Sequence, residues 1–317
     1  ARRCARKCAQ ICGGNGGPRM TDFFAAESIR THTGGAFLSR AESAAAAHGI
    51  SIDTRELTPG QVFVALPGER TDGHDHLDAA AKAGAPIALV ERDVPAPEGM
   101  TLVRVESCRA ALIRLATAYR ATLRSTRVIA VTGSNGKTTT VRLIDHVLGS
   151  ALRGSASRKS FNNELGLPIT VLNARPTDQY LVCEAGMSTP GEIRKLGAIV
   201  RPDVGVITSI GRAHLEAFGR IEGIAAEKAS LLFELAEGGL GIITADSPHL
   251  DAALPPGIPL IRFGEHDDAD LRLTSVEASA AGVRFTLNER SSFEIPLVGP
   301  HNAWNAAACV AVARRLG

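Results

Sequence analysis

The sequence predicts an α/β protein: a small N-terminal α/β unit, then a phosphate-loop ATPase-type sheet, mostly parallel, that ends in an antiparallel meander. Three observations carry this. The apolar run Val128–Val131 empties into a glycine-containing turn, then Lys137 and three threonines, followed by Val141, Ile144, Val147 and Leu148 at helical spacing. From residue 127 to 263, short apolar runs alternate with helical stretches, the order of a parallel sheet covered by helices. From Leu271 the period changes to two, over 271–278, 283–289 and 293–298, as in hairpin-linked strands.

The elements follow in order. Between residues 20 and 105, Val62–Leu66 reads as a strand bounded by Pro59-Gly60 and Pro67-Gly68. Leu77–Ala83 reads as a helix, and Ala85–Val90 and Leu102–Val105 as strands. Ala110–Leu123 carries Leu112, Leu115, Ala116 and Tyr119 on one helical face and leads into the phosphate-loop strand. The expected division is therefore an N-terminal domain at 20–105, a linker helix at 106–126 and a central domain at 127–317. Within the last, strands are expected at 180–184, 204–210, 240–244 and 259–263. Helices are expected at 191–199 and 221–235, with a final one from His301.

Composition narrows the classes. A chain of 317 residues has room for two domains with buried cores. A net charge of +2 gives no argument for nucleic acid or an anionic membrane, and aromatics at 4% provide few base-stacking platforms. No apolar run approaches a membrane span. A cytoplasmic monomer without nucleic-acid or membrane partners is expected. Cys4, Cys8 and Cys12 recur at intervals of four in a basic stretch that matches no metal-site spacing and has no secretory apolar core. Residues 1–19 are expected to be a disordered extension or a start-site artefact. Cys108, Cys183 and Cys309 sit in apolar contexts that predict buried, inert thiols.

The turn at 133–139 is a phosphate-binding loop. Gly133 and Gly136 let backbone N–H groups approach a polyphosphate at the positive end of the next helix. Lys137 suits the β- and γ-phosphates, and the Thr138 hydroxyl suits Mg²⁺. Only Ser134 and Asn135 separate the first glycine from Gly136-Lys137, a shortened spacer. Because ligands of open α/β sheets gather at the carboxyl ends of strands, two further residues fall nearby. Glu184 ends a strand and can hold the Mg²⁺; His214 follows another and can serve a metal or phosphate. Lys228 lies inside the apolar stripe of its helix, where an unpaired ammonium is costly. It either snorkels or is converted by CO₂ to an anionic carbamate able to bind a second Mg²⁺.

These segments together resemble the ATP-dependent Mur ligase family: TGSNGKTTT, Glu184-Ala185-Gly186, TSIGRAHLEAFG with its lysine-bearing helix, and GPHNAWNAAAC at 299–309. The N-terminal ISIDTRELTPGQVFVALPGERTDGHDHLDAAAKAGA is similar to a uridine-nucleotide domain of that family. Phe161–Pro168 resembles the branch that adds D-alanyl-D-alanine. The resemblance covers about residues 20–317. It implies that Ser51, Asp53, Thr54 and Arg55 line a uridine diphosphate pocket, while His74 and Asp75 either join it or cap a turn. Asn162 and Asn163 would orient the nucleotide-sugar. Gly133, Ser134, Asn135, Gly136, Lys137, Thr138 and Thr139 would bind ATP phosphates, and His301, Asn302 and Asn305 the adenine. Thr138, Glu184, His214 and modified Lys228 would hold Mg²⁺, with Lys137, His214 and Lys228 catalytic. Ser209 stands where the family usually has Asn, Arg212 where a smaller residue is common, and Ser230 where an acidic residue often follows the lysine.

The implied reaction is ATP-dependent amide ligation of D-alanyl-D-alanine onto UDP-N-acetylmuramoyl-tripeptide through an acyl phosphate. The family carries a further C-terminal α/β domain beyond the position of Gly317, so residues 1–317 alone are expected to bind nucleotides and ligate poorly. From the phosphate loop by itself, a kinase or ATPase and a non-catalytic nucleotide-binding module remain open.

Overall fold

The computed structural model describes residues 23–42, 47–68, 71–158 and 161–316. The cysteine-bearing segment 1–19 lies outside them.

The first layer is a five-stranded sheet. Its strands are β1 (Ala36–Ser39), β2 (Ile50–Ser51), β3 (Val62–Val64), β4 (Ile87–Val90) and β5 (Thr101–Arg104), in the order β1-β5-β4-β3-β2. All pairs are parallel except β1 with β5. Helix α1 (Ala26–Thr33) precedes it and stops at Gly34, whose φ of +69° lets the chain close back on the last carbonyls. Helix α2 (Leu77–Lys82) links β3 to β4. His74 is buried: Nδ1 faces Asp72 Oδ1 at 2.6 Å and Nε2 accepts from Glu91 N at 2.8 Å, so it fastens this turn.

Helix α3 (Cys108–Thr122) starts at Ser107, whose Oγ accepts from Ala110 N. The predicted face is fully covered: Leu112, Leu115 and Ala116 are at 0% exposure and Tyr119 at 1%. These residues belong to one buried apolar cluster with Val62 and Val64 of the first sheet and Val128, Ala130 and Leu181 of the second, so both sheets share one continuous core. Tyr119 also donates to Ala174 O at 2.8 Å.

The second sheet has nine strands. β6 (Arg127–Thr132), β7 (Gly154–Ala156), β8 (Tyr180–Glu184), β9 (Val204–Ile207), β10 (Leu240–Thr244) and β11 (Leu260–Gly264) are joined in parallel, with β12 (Leu271–Ala278) beside β11. β13 (Val283–Leu287) and β14 (Ser291–Ile295) complete the antiparallel meander. The order is β14-β13-β12-β11-β10-β9-β6-β8-β7. β6 therefore lies between β8 and β9, and the chain departs to opposite sides of it, the crevice where α/β sheets bind ligands. Helices α4 (Lys137–Gly149), α5 (Gly166–Leu172), α6 (Glu192–Val200), α8 (Ile221–Ala229) and α9 (Asn302–Leu316) cover the faces, while the short α7 (Leu215–Phe218) buries no residue and leads into α8.

Several elements end earlier than the sequence predicts, among them β3 at Val64, β13 at Leu287 and β14 at Ile295, and in two cases side-chain hydroxyls give the reason. β9 stops at Ile207 because Thr208 and Ser209 turn to bond the phosphate loop. The helix from Ile221 tightens to 3₁₀ at Ser230, whose hydroxyl donates to Glu227 O at 2.6 Å and competes with the helical ladder.

Candidate active site

The phosphate loop springs from the end of β6. Gly133 and Gly136 have φ of +153° and +82°. Packing also demands glycine at both positions. A Cβ on Gly133 would lie 1.9 Å from Thr208 Oγ1, and one on Gly136 would lie 2.1 Å from Asn305 Oδ1. The space beside each glycine is thus filled by the protein's own side chains, so close packing adds to the backbone reason for glycine there. The loop is laced to the exit of β9. Ser134 N donates to Ser209 O (2.9 Å), Asn135 N to Ser209 Oγ (2.9 Å), Thr208 Oγ1 to Asn135 O (2.5 Å) and Gly211 N to Ser134 Oγ (2.8 Å). The N–H groups of Ser134 and Asn135 are therefore occupied. Those of Lys137, Thr138 and Thr139 open the first turn of α4 without intrahelical acceptors, and Thr140 N is the first to close a helical bond, to Gly136 O.

Around this end the predicted groups converge. Thr138 Oγ1 donates to Glu184 Oε2 at 2.8 Å, and Asn162 Nδ2 donates to Glu184 Oε1 at 2.9 Å. Glu184 is 2% exposed at the end of β8. Lys137 Nζ folds back onto Gly133 O at 2.8 Å; burial lowers its pKa while the charge of Glu184 opposes that shift. A cavity of about 410 Å³ is lined by Lys137, Asn162, Asn163, Gly186, Met187 and His214, together with Arg109. Asn163 mainly shapes the backbone, since its Oδ1 accepts from Leu165 N and Gly166 N at the start of α5. His214 is exposed and holds a left-handed backbone, φ +64°, ahead of α7. A non-glycine residue in that region is strained, which is common at functional sites. Arg109 escaped sequence reading because an arginine in the first turn of a helix carries no distinguishing pattern.

Lys228 is 2% exposed. Its Nζ approaches Met187 Sδ at 3.7 Å, and the adjacent Glu227 turns away to accept from Gly191 N and Ile193 N at the start of α6. Burial, then the charge of Lys137, brings its pKa down to about 7, with Glu227 opposing. Met187, which lines the cavity, lies over the amine. Among the described residues, no group of three or more His, Cys, Asp or Glu converges as a metal cluster. The oxygen pair of Thr138 and Glu184 is nevertheless a hard donor set of the kind Mg²⁺ takes.

A second cavity, about 390 Å³, lies where the first sheet meets β7 and α5. Ser51 and Asp53 line it, with Arg158, Thr170, Asn173 and Arg175 across from them. Thr54 and Arg55 do not line it, contrary to the sequence expectation. Arg55 is turned outward in a pair with Asp53, Nη2 to Oδ2 2.6 Å, which holds the Asp53 pKa down to about 2. Asn173 ties the two halves of the chain: Oδ1 accepts from Ile50 N and Gln61 Nε2, and Nδ2 donates to Ile50 O. Arg158 and Arg175 bring positive charge that spacing alone did not reveal.

The third opening lies on the other side of the phosphate loop, between the ends of β9 and β10 and the start of α9. His301 and Asn305 line it, but Asn302 does not. Both asparagines are buried and bond internally: Asn302 Nδ2 donates one N–H to Val298 O, Asn305 Nδ2 donates one to Asn302 Oδ1, and Thr140 Oγ1 donates to Asn305 Oδ1. They brace α9 against α4, and of the two only Asn305 reaches the opening, so the expected adenine contact finds no support at Asn302.

The Mur ligase middle domain model matches residues 131–313, and the Mur ligase family catalytic domain model matches residues 46–120. This chain belongs to the Mur ligase family. Among relatives in that family, UDP-N-acetylmuramoyl-tripeptide–D-alanyl-D-alanine ligase of Bacillus subtilis is 41% identical over 272 residues, covering 85% of this chain and 59% of that protein. The Escherichia coli ligase of the same name is 34% identical over 276 residues, covering 84% and 60%. Solved Mur ligases share the architecture. MurF from Acinetobacter baumannii superposes with a TM-score of 0.80 at 31% identity over 92% of this chain and 65% of that one. MurF ligase from Thermotoga maritima in complex with ADP gives 0.73 at 32% identity over 86% and 64%. The Mur ligase chain described here thus spans less than two thirds of the length of these relatives.

Buried thiols complete the picture. Cys108, Cys183 and Cys309 are free and buried, and burial pushes each thiol up to about 12. Among the described residues, no helix is long and apolar enough to cross a membrane.

Proposed function

We propose that this chain carries the ATP-binding and UDP-sugar-binding parts of a ligase that joins D-alanyl-D-alanine to UDP-N-acetylmuramoyl-tripeptide. The observation that carries the reading is the cavity where Lys137 of the phosphate loop meets Asn162, Gly186 and His214, beside the bonded pair Thr138–Glu184. The names of the relatives support the substrate assignment. The domain division at residues 20–105, 106–126 and 127–317 is part of the same proposal.

In this reading the first turn of α4 and Lys137 receive the ATP phosphates. Thr138 and Glu184 would hold Mg²⁺, with His214 and carbamylated Lys228 serving a second ion. Bound there, the metal would offset the negative charge that accumulates when one anion attacks another. Ser51 and Asp53 face the uridine end, and Arg158 and Arg175 supply cations for the diphosphate, with Asn162 and Asn163 at the peptide end. The terminal carboxylate of the tripeptide attacks the γ-phosphorus, ADP leaves, and the resulting acyl phosphate is attacked by the amine of D-alanyl-D-alanine. Phosphate departs as the amide forms. We assign the enzyme to the cytoplasm and to the monomeric state; among the described residues the cysteines are buried and unpaired, which fits a reducing compartment.

Product analysis tests this. At protein concentrations comparable with substrate, which the expected poor ligation by residues 1–317 calls for, phosphate release should require ATP, UDP-N-acetylmuramoyl-tripeptide and D-alanyl-D-alanine together. A stable phosphorylated acceptor formed without the dipeptide would instead identify a kinase.

A further inference from the structure

We propose that Trp304, fixed by Asp246, is the wall on which the adenine ring of ATP stacks in this chain. The inference rests on the reading of the phosphate loop as an ATP site and assigns the base to one side of it. Trp304 stands in the first turn of α9, only partly buried, while its neighbours Ala303 and Asn305 are buried. It lines the opening that also takes in Asn135, Gly136 and Thr139 of the phosphate-loop region. A nucleotide whose phosphates occupy the first turn of α4 therefore has its base within reach of the indole. The opening, about 840 Å³, accommodates a nucleoside.

The ring is held in one orientation. Its Nε1 donates to Asp246 Oδ2 at 2.6 Å, which leaves the face of the indole, rather than its polar edge, for a ligand. Asp246 is itself immobilised: Glu265 N and His266 N donate to its Oδ1, each at 2.9 Å, and Glu265 N reaches Oδ2 at 3.1 Å. Gly264, at φ +147°, makes the room, since a Cβ there would lie 2.5 Å from both carboxylate oxygens. A preorganised aromatic plane loses little freedom when a base settles on it. One N–H of each of the Asn302 and Asn305 amides is already committed within the protein, and Trp304 adds an aromatic face beside them at the start of α9.

Trp304 is the chain's single tryptophan, so its emission reports this one position. The full chain, with Mg²⁺ present, is titrated with ATP and separately with inorganic tripolyphosphate, while calorimetry measures each affinity. ATP should change the emission saturably, with a midpoint matching the calorimetric Kd, whereas tripolyphosphate should leave it unchanged. Trp304→Ala should weaken ATP about tenfold and leave tripolyphosphate affinity unaltered; Trp304→Phe should restore most of the loss. Asp246→Asn should weaken ATP by a smaller factor and broaden the emission, as the ring loosens. Calorimetric ATP binding with silent emission and an unaltered Kd in Trp304→Ala would overturn the inference, as would an equal emission change with tripolyphosphate. Failure of the unaltered chain to bind ATP at all would overturn the nucleotide-site reading, and this inference with it.

Discussion

Replacing Lys228 by methionine should make the protein more stable and its chemistry worse. The amine sits at 2% exposure with a thioether as its neighbour, and its pKa falls from 10.5 to about 7, first through burial and then through the charge of Lys137. At 1.36 kcal/mol per pKa unit, the folded chain carries a penalty of about 5 kcal/mol at and below pH 7 relative to an exposed lysine. The sign follows from proton counts. Between pH 7 and 10.5 the unfolded chain binds the extra proton, so stability rises with pH through that window and the penalty fades toward its upper end. Methionine keeps the unbranched apolar stem and removes the charge. In CO₂-free buffer at pH 7, thermal unfolding of Lys228→Met should lie at least about 5 °C above that of the unaltered protein. The gap should close as pH approaches 10. Bicarbonate should stabilise the unaltered protein, by converting the amine to a carbamate, and should not affect the variant. ATP-dependent phosphate release should be lost in the variant. A lower melting temperature for Lys228→Met at pH 7, with a gap independent of pH, would refute the reasoning.

Glu184→Gln keeps the shape of the carboxylate on which Thr138 and Asn162 converge but removes its charge. Phosphate release should fall by about 10²-fold or more and the Mg²⁺ requirement should rise, measured by varying Mg²⁺ at fixed ATP. Gly136→Ala places a methyl against Asn305 at φ +82°; chemical denaturation should register a loss of about 1–3 kcal/mol, with weaker ATP binding. Asn173→Ala removes the bridge to Ile50 and Gln61. It should cost about 2–3 kcal/mol of stability and raise KM for the UDP-linked substrate, while calorimetry finds ATP affinity unchanged.

The sequence displayed the central unit more plainly than the first. Strand β8 at Tyr180–Glu184 and strand β10 at Leu240–Thr244 coincide with the apolar runs that predict them, because a strand covered on both faces must be apolar along its whole length. Strand β2 has only Ile50 and Ser51, too few residues for any period to register. The ends of β9 and α8 were overestimated for a shared reason: side-chain hydroxyls at Thr208, Ser209 and Ser230 take over the backbone hydrogen bonding, and hydropathy does not record hydroxyl direction. In the site, Glu184 and His214 lie beside Lys137 and Thr138 of the phosphate loop as strand-end reasoning implied, and Asn162, which only the resemblance had singled out, joins them. Arg55, Asn302 and Asn305 had the right residue types for ligand contact. Their polar groups are used by Asp53, Val298 and Thr140, and those partners become visible only in three dimensions. Arg158 and Arg175 belong to no motif, and Trp304 lies inside the segment GPHNAWNAAAC without having been singled out; packing brings all three to their cavities.

Isotope transfer tests the central claim most directly. UDP-N-acetylmuramoyl-tripeptide labelled with ¹⁸O in its terminal carboxylate is mixed with ATP, Mg²⁺ and D-alanyl-D-alanine, at protein concentrations comparable with substrate. Mass spectrometry then reads the released phosphate. The account predicts one ¹⁸O in each phosphate formed alongside the amide product, because the carboxylate oxygen leaves with phosphorus. Phosphate without label would contradict it.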